Sequence, residues 1–371
     1  MSFFELAPKA SLRALFGRDA EVAQLVRSVE AGRWTVILGP RMVGKTSLVR
    51  AAAGRMGRPV VYANLWGARG APGFLEALLR GIAASEPLLS RLRKGLRRIE
   101  GVSVGPAGIT LAPRTRPMGA ASALLNAIGE ASARTVFVLD EVQELAPVSG
   151  LVLRTLANVF NTHPNIVFVL TGSQFGLLRM LLEPPADSPL FGRPPAVLRL
   201  AAFDRSTSVD FLARGFAEWH LSPGREELEG VVDRSLDGIP GWLTLYGNNV
   251  AVQRLAPEKA ERLTLEEGKK VARSELGHFL EHRPVEMYWD ALRTLTSEVA
   301  WGELKRALSA RRGSPVNDHT VGNVLRSLRD ANLIAENDHR YSIVDPMVRA
   351  YVREARRRPL GRRPEEPHLS R

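Results

Sequence analysis

The chain has 371 residues, 45% hydrophobic and 24% charged, enough for two or three globular domains, and no stretch nears the roughly 18 to 20 apolar residues of a membrane span. It has no cysteine, which excludes disulfides and thiolate metal sites, and its seven histidines form no HExxH pair, so zinc held by the protein alone is not expected. The net charge of +12 does not describe a uniformly basic surface, because residues 91–116 carry seven basic side chains against Glu100 and residues 353–371 carry seven arginines against three glutamates.

Taken in chain order, Gly17-Arg18-Asp19 opens a predicted helix in which Val22, Leu25 and Val26 recur at helical spacing up to Gly32. The N-terminus MSFFELAPKA before it lacks a basic region followed by an apolar run, so the chain is expected to stay in the cytoplasm, without a membrane partner. Trp34 to Leu38 reads as a short buried strand ending at Gly39. Gly39-Pro40-Arg41-Met42-Val43-Gly44-Lys45-Thr46 then matches GxxxxGK[ST] and is followed by Ser47 and an apolar helix with Leu48, Val49 and Ala52. In that strand-loop-helix setting, backbone N–H groups converge on phosphates at the positive end of the helix. Lys45 would reach the β- and γ-phosphates of a nucleoside triphosphate, most simply ATP, and Thr46 would offer its hydroxyl to Mg²⁺. Any metal is expected to arrive with the nucleotide. The alternative is a plain glycine-rich turn.

Further strands are predicted at Pro59–Leu65, Thr135–Leu139, Ile166–Leu170 and Ala196–Leu200, with helices over 73–95, 118–132 and 150–161 between them. Runs of Val, Ile and Leu without polar alternation, separated by helices, predict an α/β core with a parallel sheet covered on both faces, over residues 1–204. Val102, Val104, Ile109 and Leu111 around Gly105-Pro106-Ala107-Gly108 predict a β-hairpin inside the basic insertion at about 91–116. Asp140 and Glu141 follow the third strand directly, which suits Asp140 to Mg²⁺ and Glu141 to orienting an attacking water; an exposed strand end is the other reading. Thr171, Gly172 and Ser173 end the next strand, where Ser173 would contact the γ-phosphate or the water, or simply begin a loop.

From about Ser206 strands give way to helices at 207–219, 225–235 (opened by Ser222-Pro223), 241–254 and 258–281, a helical lid over 205–283. Three short helices near 287–296, 301–311 and 318–331, then strands around Asn337-Asp338, give the order of a winged helix over 284–353. The basic tail 354–371, rich in Arg and Pro, is expected to be disordered. The third helix of the winged segment offers Asn323, Arg326 and Arg329 to DNA, yet residues 285–352 have as many acidic as basic side chains. The basic insertion and tail are therefore better electrostatic candidates for nucleic acid, and winged helices also serve as protein-docking modules.

The chain resembles the archaeal ATPase family of P-loop proteins, placed in the STAND class of signalling ATPases and related to AAA+ enzymes. The resemblance rests on Phe16-Gly17-Arg18-Asp19 with Glu21, GPRMVGKTSL, VFVLDEVQEL with Gln143, LTGSQFGLL, Leu190-Phe191-Gly192-Arg193, Gly238-Ile239-Pro240-Gly241-Trp242 and Tyr341-Ser342-Ile343-Val344-Asp345-Pro346. It implies an ATPase core, a lid whose Pro240 segment approaches the nucleotide, a C-terminal winged helix, and a place for Arg18 in the nucleotide-binding set. It also implies a γ-phosphate role for Arg193, for which a structural ion pair is the alternative and which is open between action within the chain and across subunits. The expected function is a slow, Mg²⁺-dependent ATP-hydrolysing switch. Its rivals are an AAA+ machine of replication or DNA remodelling, which forms nucleotide-dependent oligomers, and a nucleotide-gated scaffold for a protein partner.

Overall fold

The computed structural model describes residues 3–85, 102–105, 108–112, 116–131, 134–172, 177–184, 186, 188, 190–281 and 283–355. Contacts divide the chain into two units: Ala7–Gly39 with Val43–Ala201, and Ala202–Arg371 joined by Ser2–Leu6 and Pro40–Met42. No helix among the described residues is long and apolar enough to cross a membrane.

The first unit is an α/β fold around a five-stranded parallel sheet. In chain order its elements are α1 (Asp19–Glu30), β1 (Thr35–Leu38), α2 (Lys45–Ala53), β2 (Val60–Asn64), α3 (Gly70–Ala83), β3 (Val102–Gly105), β4 (Gly108–Leu111), α4 (Pro117–Ala131), β5 (Thr135–Asp140), α5 (Ser149–Thr162), β6 (Ile166–Thr171), α6 (Leu177–Leu182) and β7 (Ala196–Arg199). The sheet order is β2-β5-β6-β1-β7, with Phe137 level with Val61 on one side and Phe168 on the other. Every residue of β1, β5 and β6 is buried, which is why these strands are apolar runs rather than alternating ones. Trp34 packs edge-on against Phe168, ring centroids 4.7 Å apart, and closes the N-terminal end of the sheet together with Phe160.

The sheet order places β1 and β2 apart, with β6 and β5 between them, so loops leaving the C-terminal ends of β1, β5 and β6 lie side by side. That arrangement is where open parallel sheets gather their ligands. The predicted hairpin is β3 and β4, antiparallel with Val102 level with Leu111. The basic residues Arg91, Arg93, Lys94, Arg97, Arg98 and Arg114 around it lie outside the described residues, as does the tail beyond Ala355.

The second unit contains α7 (Arg205–Ala217), α8 (Arg225–Val231) running into a π-helical turn (Val232–Leu236), α9 (Pro240–Ala251) and α10 (Pro257–Leu280). Asp204 caps α7 by accepting from the Thr207 N–H at 2.7 Å. The residue at the N-cap of α8 is Gly224, in extended conformation, so Ser222-Pro223 precede that helix rather than opening it. Phe4 is fully buried here: Gly215 and Gly247 leave room for its ring, it stands edge-on to Phe216 at 4.9 Å, and Asn248 donates to its carbonyl at 2.9 Å.

The same unit continues with α11 (Val285–Thr294), β8 (Val299–Ala300), α12 (Trp301–Arg312), α13 (Asp318–Asp330), β9 (Ile334–Asn337), β10 (Arg340–Ile343) and α14 (Pro346–Glu354), the strands ordered β8-β10-β9. Asp345 caps α14 from within the core, accepting from the Met347 N–H at 2.8 Å and from Trp242 Nε1 at 3.1 Å. Burial pushes its carboxyl up to about 7, with Glu275 adding to the rise. An unfolded Asp titrates near pH 3.9, so the folded state holds this proton more tightly, and the resulting stability is lost as pH rises through about 7. Asp345→Asn keeps an acceptor for both donors. We expect it to gain stability relative to the natural chain between pH 5 and pH 8, by an amount on the order of a few kcal/mol, measured by denaturant titration at both pH values. Equal responses to pH in both proteins would refute this.

Candidate nucleotide-binding site

The loop between β1 and α2 is shaped by two glycines. A Cβ on Gly39 would meet the Leu200 carbonyl oxygen at 2.6 Å, and Gly44 stands in the left-handed region at φ 99° as the N-cap of α2. Gly44 brings no side chain to cap the helix, and its first turn holds no acidic residue, which leaves the helix's first N–H groups suited to an anion. Lys45 folds back over the loop and donates from Nζ to the Gly39 carbonyl at 2.8 Å. Arg18 is buried beneath, where its guanidinium donates to the Ala201 carbonyl at 2.6 Å and the Val43 carbonyl at 3.5 Å and pairs with Glu21 at 2.9 Å. It braces the loop backbone.

Asp140 ends β5, level with Asn64 of β2, and is 3% exposed. The Thr46 hydroxyl donates to its Oδ2 at 2.8 Å, the Tyr62 hydroxyl donates to the same oxygen, and the Thr171 hydroxyl donates to Oδ1. Each of these partners is a neutral hydroxyl. A buried carboxylate meeting the threonine of the loop, with hydroxyls around it, is a donor set that fits Mg²⁺ brought in on phosphate oxygens. Tyr62 is the residue that sequence reasoning missed. It appeared only as one member of an apolar strand, and its relevance depends on β2 being the neighbour of β5. Burial, then the Asp140 charge, raise the Tyr62 pKa, so the phenol stays a donor, and the Arg50 guanidinium lies 4.6 Å from its ring centre.

Glu141 has left-handed backbone, φ 64° and ψ 47°, at the head of a 3₁₀ turn, Val142–Val148. A residue with a side chain costs roughly 1 kcal/mol or more in this conformation, which concentrates at functional sites. Its N–H donates to Thr171 Oγ1 at 3.3 Å, and Gln143 Nε2 donates to its carboxylate. Thr171 therefore touches both members of the acidic pair.

The structure thus brings together Gly39, Val43, Gly44, Lys45, Thr46, Asp140, Glu141 and Thr171, with Ser47 accepting from the Lys9 N–H at 3.1 Å just beyond. Ser173 lies outside the described residues. Arg193 is not among them: it precedes β7, whose Ala196 is level with Thr35 at the start of β1, and it donates to Asn161 and lies 5.4 Å from the Phe160 ring centre. That is the N-terminal edge of the sheet, opposite the phosphate loop.

In the second unit, Pro240 occupies the first turn of α9, and the next residue, Gly241, donates its N–H to the Met42 carbonyl at 2.9 Å; Pro40 and Arg41 group with Met42 there. On α13, Arg329 pairs with Glu336 at 3.0 Å and Asn323 bonds the His319 ring at 3.2 Å, while Arg326 is exposed. His278 and His282 stand four residues apart around Glu281, a spacing the sequence reading overlooked. No group of three metal-ligating side chains occurs among the described residues, which do not include His282.

A family model described as an ATPase domain predominantly from Archaea matches residues 15–245. Among solved structures, the chain is similar to a Walker-type ATPase of Pyrococcus abyssi, with 29% identity, a TM-score of 0.77, and 95% of this chain and 99% of that one covered. It shares its fold with the ORC2 protein of Aeropyrum pernix, solved in ADPNP–ADP complexes, at 16% identity and a TM-score of 0.61, with 95% of each chain covered. No curated protein sequence matches it.

Proposed function

The chain belongs to the family of ATPase domains found predominantly in Archaea, and from that premise we propose that it is a Mg²⁺-dependent switch of the STAND kind. It binds ATP, hydrolyses it slowly, and couples nucleotide state to the helical segment 205–283 and a winged helix over 284–353. The observation that carries this reading is the meeting of Thr46 with Asp140 at 2.8 Å, beside a Glu141 held in a strained backbone conformation.

The loop N–H groups and Lys45 would hold the phosphates. Thr46 and Asp140 would hold Mg²⁺, which when bound neutralises charge on the β- and γ-oxygens. Glu141 takes a proton from the attacking water. Arg193 lies at the far edge of its own sheet, which favours a γ-phosphate role across subunits over one within the chain; Pro240 is a nucleotide-side candidate by family pattern, and Ser173 by its place in sequence just after β6. The hydrogen bond from Gly241 to Met42 supports coupling, because Met42 is part of the same loop as Lys45.

The test compares ATP hydrolysis and particle size with and without duplex DNA. Basal Mg²⁺-dependent turnover that duplex leaves unchanged supports the switch. Turnover stimulated by duplex DNA would favour a DNA-acting AAA+ enzyme instead, and no hydrolysis under any condition would leave a scaffold. Any duplex binding is expected to come through the basic insertion and tail, since Arg329 and Asn323 are already engaged. Neutralising about five phosphates gives a slope of log affinity on log salt of roughly −4 to −5. A midpoint that hardly moves between low and moderate salt would exclude these arginines.

A further inference from the structure

Gln143 stands between the two strand ends that form the acidic side of the site. Its Nε2 donates to the Glu141 carboxylate, and a carboxylate only accepts, so the amide's orientation is set: nitrogen towards Glu141, Oε1 away. Oε1 lies over Gly172, directly after β6, where a Cβ would run into it and would also come within 3.3 Å of the Val142 nitrogen. Gly172 is buried at φ +153°, a position that admits the amide because it has no side chain. Thr171, its neighbour, donates to Asp140 and accepts from the Glu141 N–H. The backbone of Glu141 is thus anchored by one residue of the β6 end, and its carboxylate by an amide seated against the next.

We propose that Gln143 is the positioning residue for Glu141, confining the carboxylate to the arrangement in which it meets the attacking water. This rests on the reading of Glu141 as the base. A free glutamate side chain samples several rotamers, and a misplacement of about 1 Å at a reacting group can lower a rate by ~10²-fold. ATP binding depends on the phosphate loop, which Gln143 does not hold. The expected signature is therefore a fall in kcat with little change in affinity.

The experiment measures kcat, KM and the affinity for a fluorescent ATP analogue in the full chain and in Gln143→Ala, Gln143→Glu, Gly172→Ala, Glu141→Gln and the double variant Glu141→Gln with Gln143→Ala. Gln143→Ala should lower kcat by about 10- to 100-fold while KM and analogue affinity move by less than about 3-fold. Gln143→Glu keeps the size of the side chain but removes the donor, so an equal or larger loss with analogue binding intact rules out a packing defect. Gly172→Ala, which displaces the amide without touching Glu141, should reproduce the loss. The double variant should be no slower than Glu141→Gln alone. The proposal is overturned if Gln143→Ala turns over at or above the natural rate, or slows the Glu141→Gln protein by the same factor as the natural one. Normal turnover by Glu141→Gln would remove the base assignment and this inference with it, whereas an inactive Glu141→Gln beside a fully active Gln143→Ala removes the inference alone.

Discussion

Glu141→Gln is expected to bind ATP as the natural chain does and to hydrolyse it about 10²- to 10⁴-fold more slowly, the range over which a positioned general base contributes. The amide is nearly the same size and shape as the carboxylate, so the left-handed backbone at Glu141 and the Glu141 N–H bond to Thr171 have no reason to change. Affinity is expected to persist because the proposed site gives the phosphates to Lys45 and the loop and not to Glu141. What is lost is the ability to accept a proton from water. Single-turnover hydrolysis of labelled ATP, with analogue binding measured alongside, separates these effects. A variant that hydrolyses at the natural rate would show that the base lies elsewhere, and one that loses binding would place Glu141 in the nucleotide pocket itself.

The parts of this site that could be read from the chain are those in which chemistry and local geometry coincide. Gly39 to Thr46 carries its own strand, turn and helix signals, and Asp140 ends, with Glu141 just after it, a strand whose six residues are all buried. The helices at 117–131 and 149–162 each begin one residue before expectation, and the second ends one residue after it. Features set by pairing across the sheet were not legible. Tyr62 meets Asp140 only because β2 docks beside β5, an order no stretch of sequence displays. Phe4 gave no helical or strand pattern, yet it fills a space between Gly215 and Gly247, more than 200 residues on. Arg193 stands out in the sequence only by the company of Leu190 to Gly192, and its position at the N-terminal edge of the sheet follows from the short strand after it.

The second large effect is expected at Lys45. Its ammonium donates to the Gly39 carbonyl at 2.8 Å, a bond between a charged donor and the loop's own backbone that phosphate oxygens can replace. Hydrogen bonds to charged groups contribute roughly 1.5 to 3 kcal/mol each, so removing the ammonium proposed to serve both the β- and γ-phosphates should weaken ATP binding by at least about 10²-fold, to the point of abolishing it in a conventional titration. Lys45→Ala places the strongest helix former at the first residue of α2, so thermal unfolding should be unchanged or slightly raised. Lys45→Arg sharpens the test, because a planar five-donor fork does not replace a compact ammonium inside a loop this tight, and it too should bind poorly. Calorimetric titration with ATP, together with melting curves, decides the matter. Natural affinity in both variants would mean that the loop does not hold phosphate through Lys45, and the assignment of the whole site would fall with it.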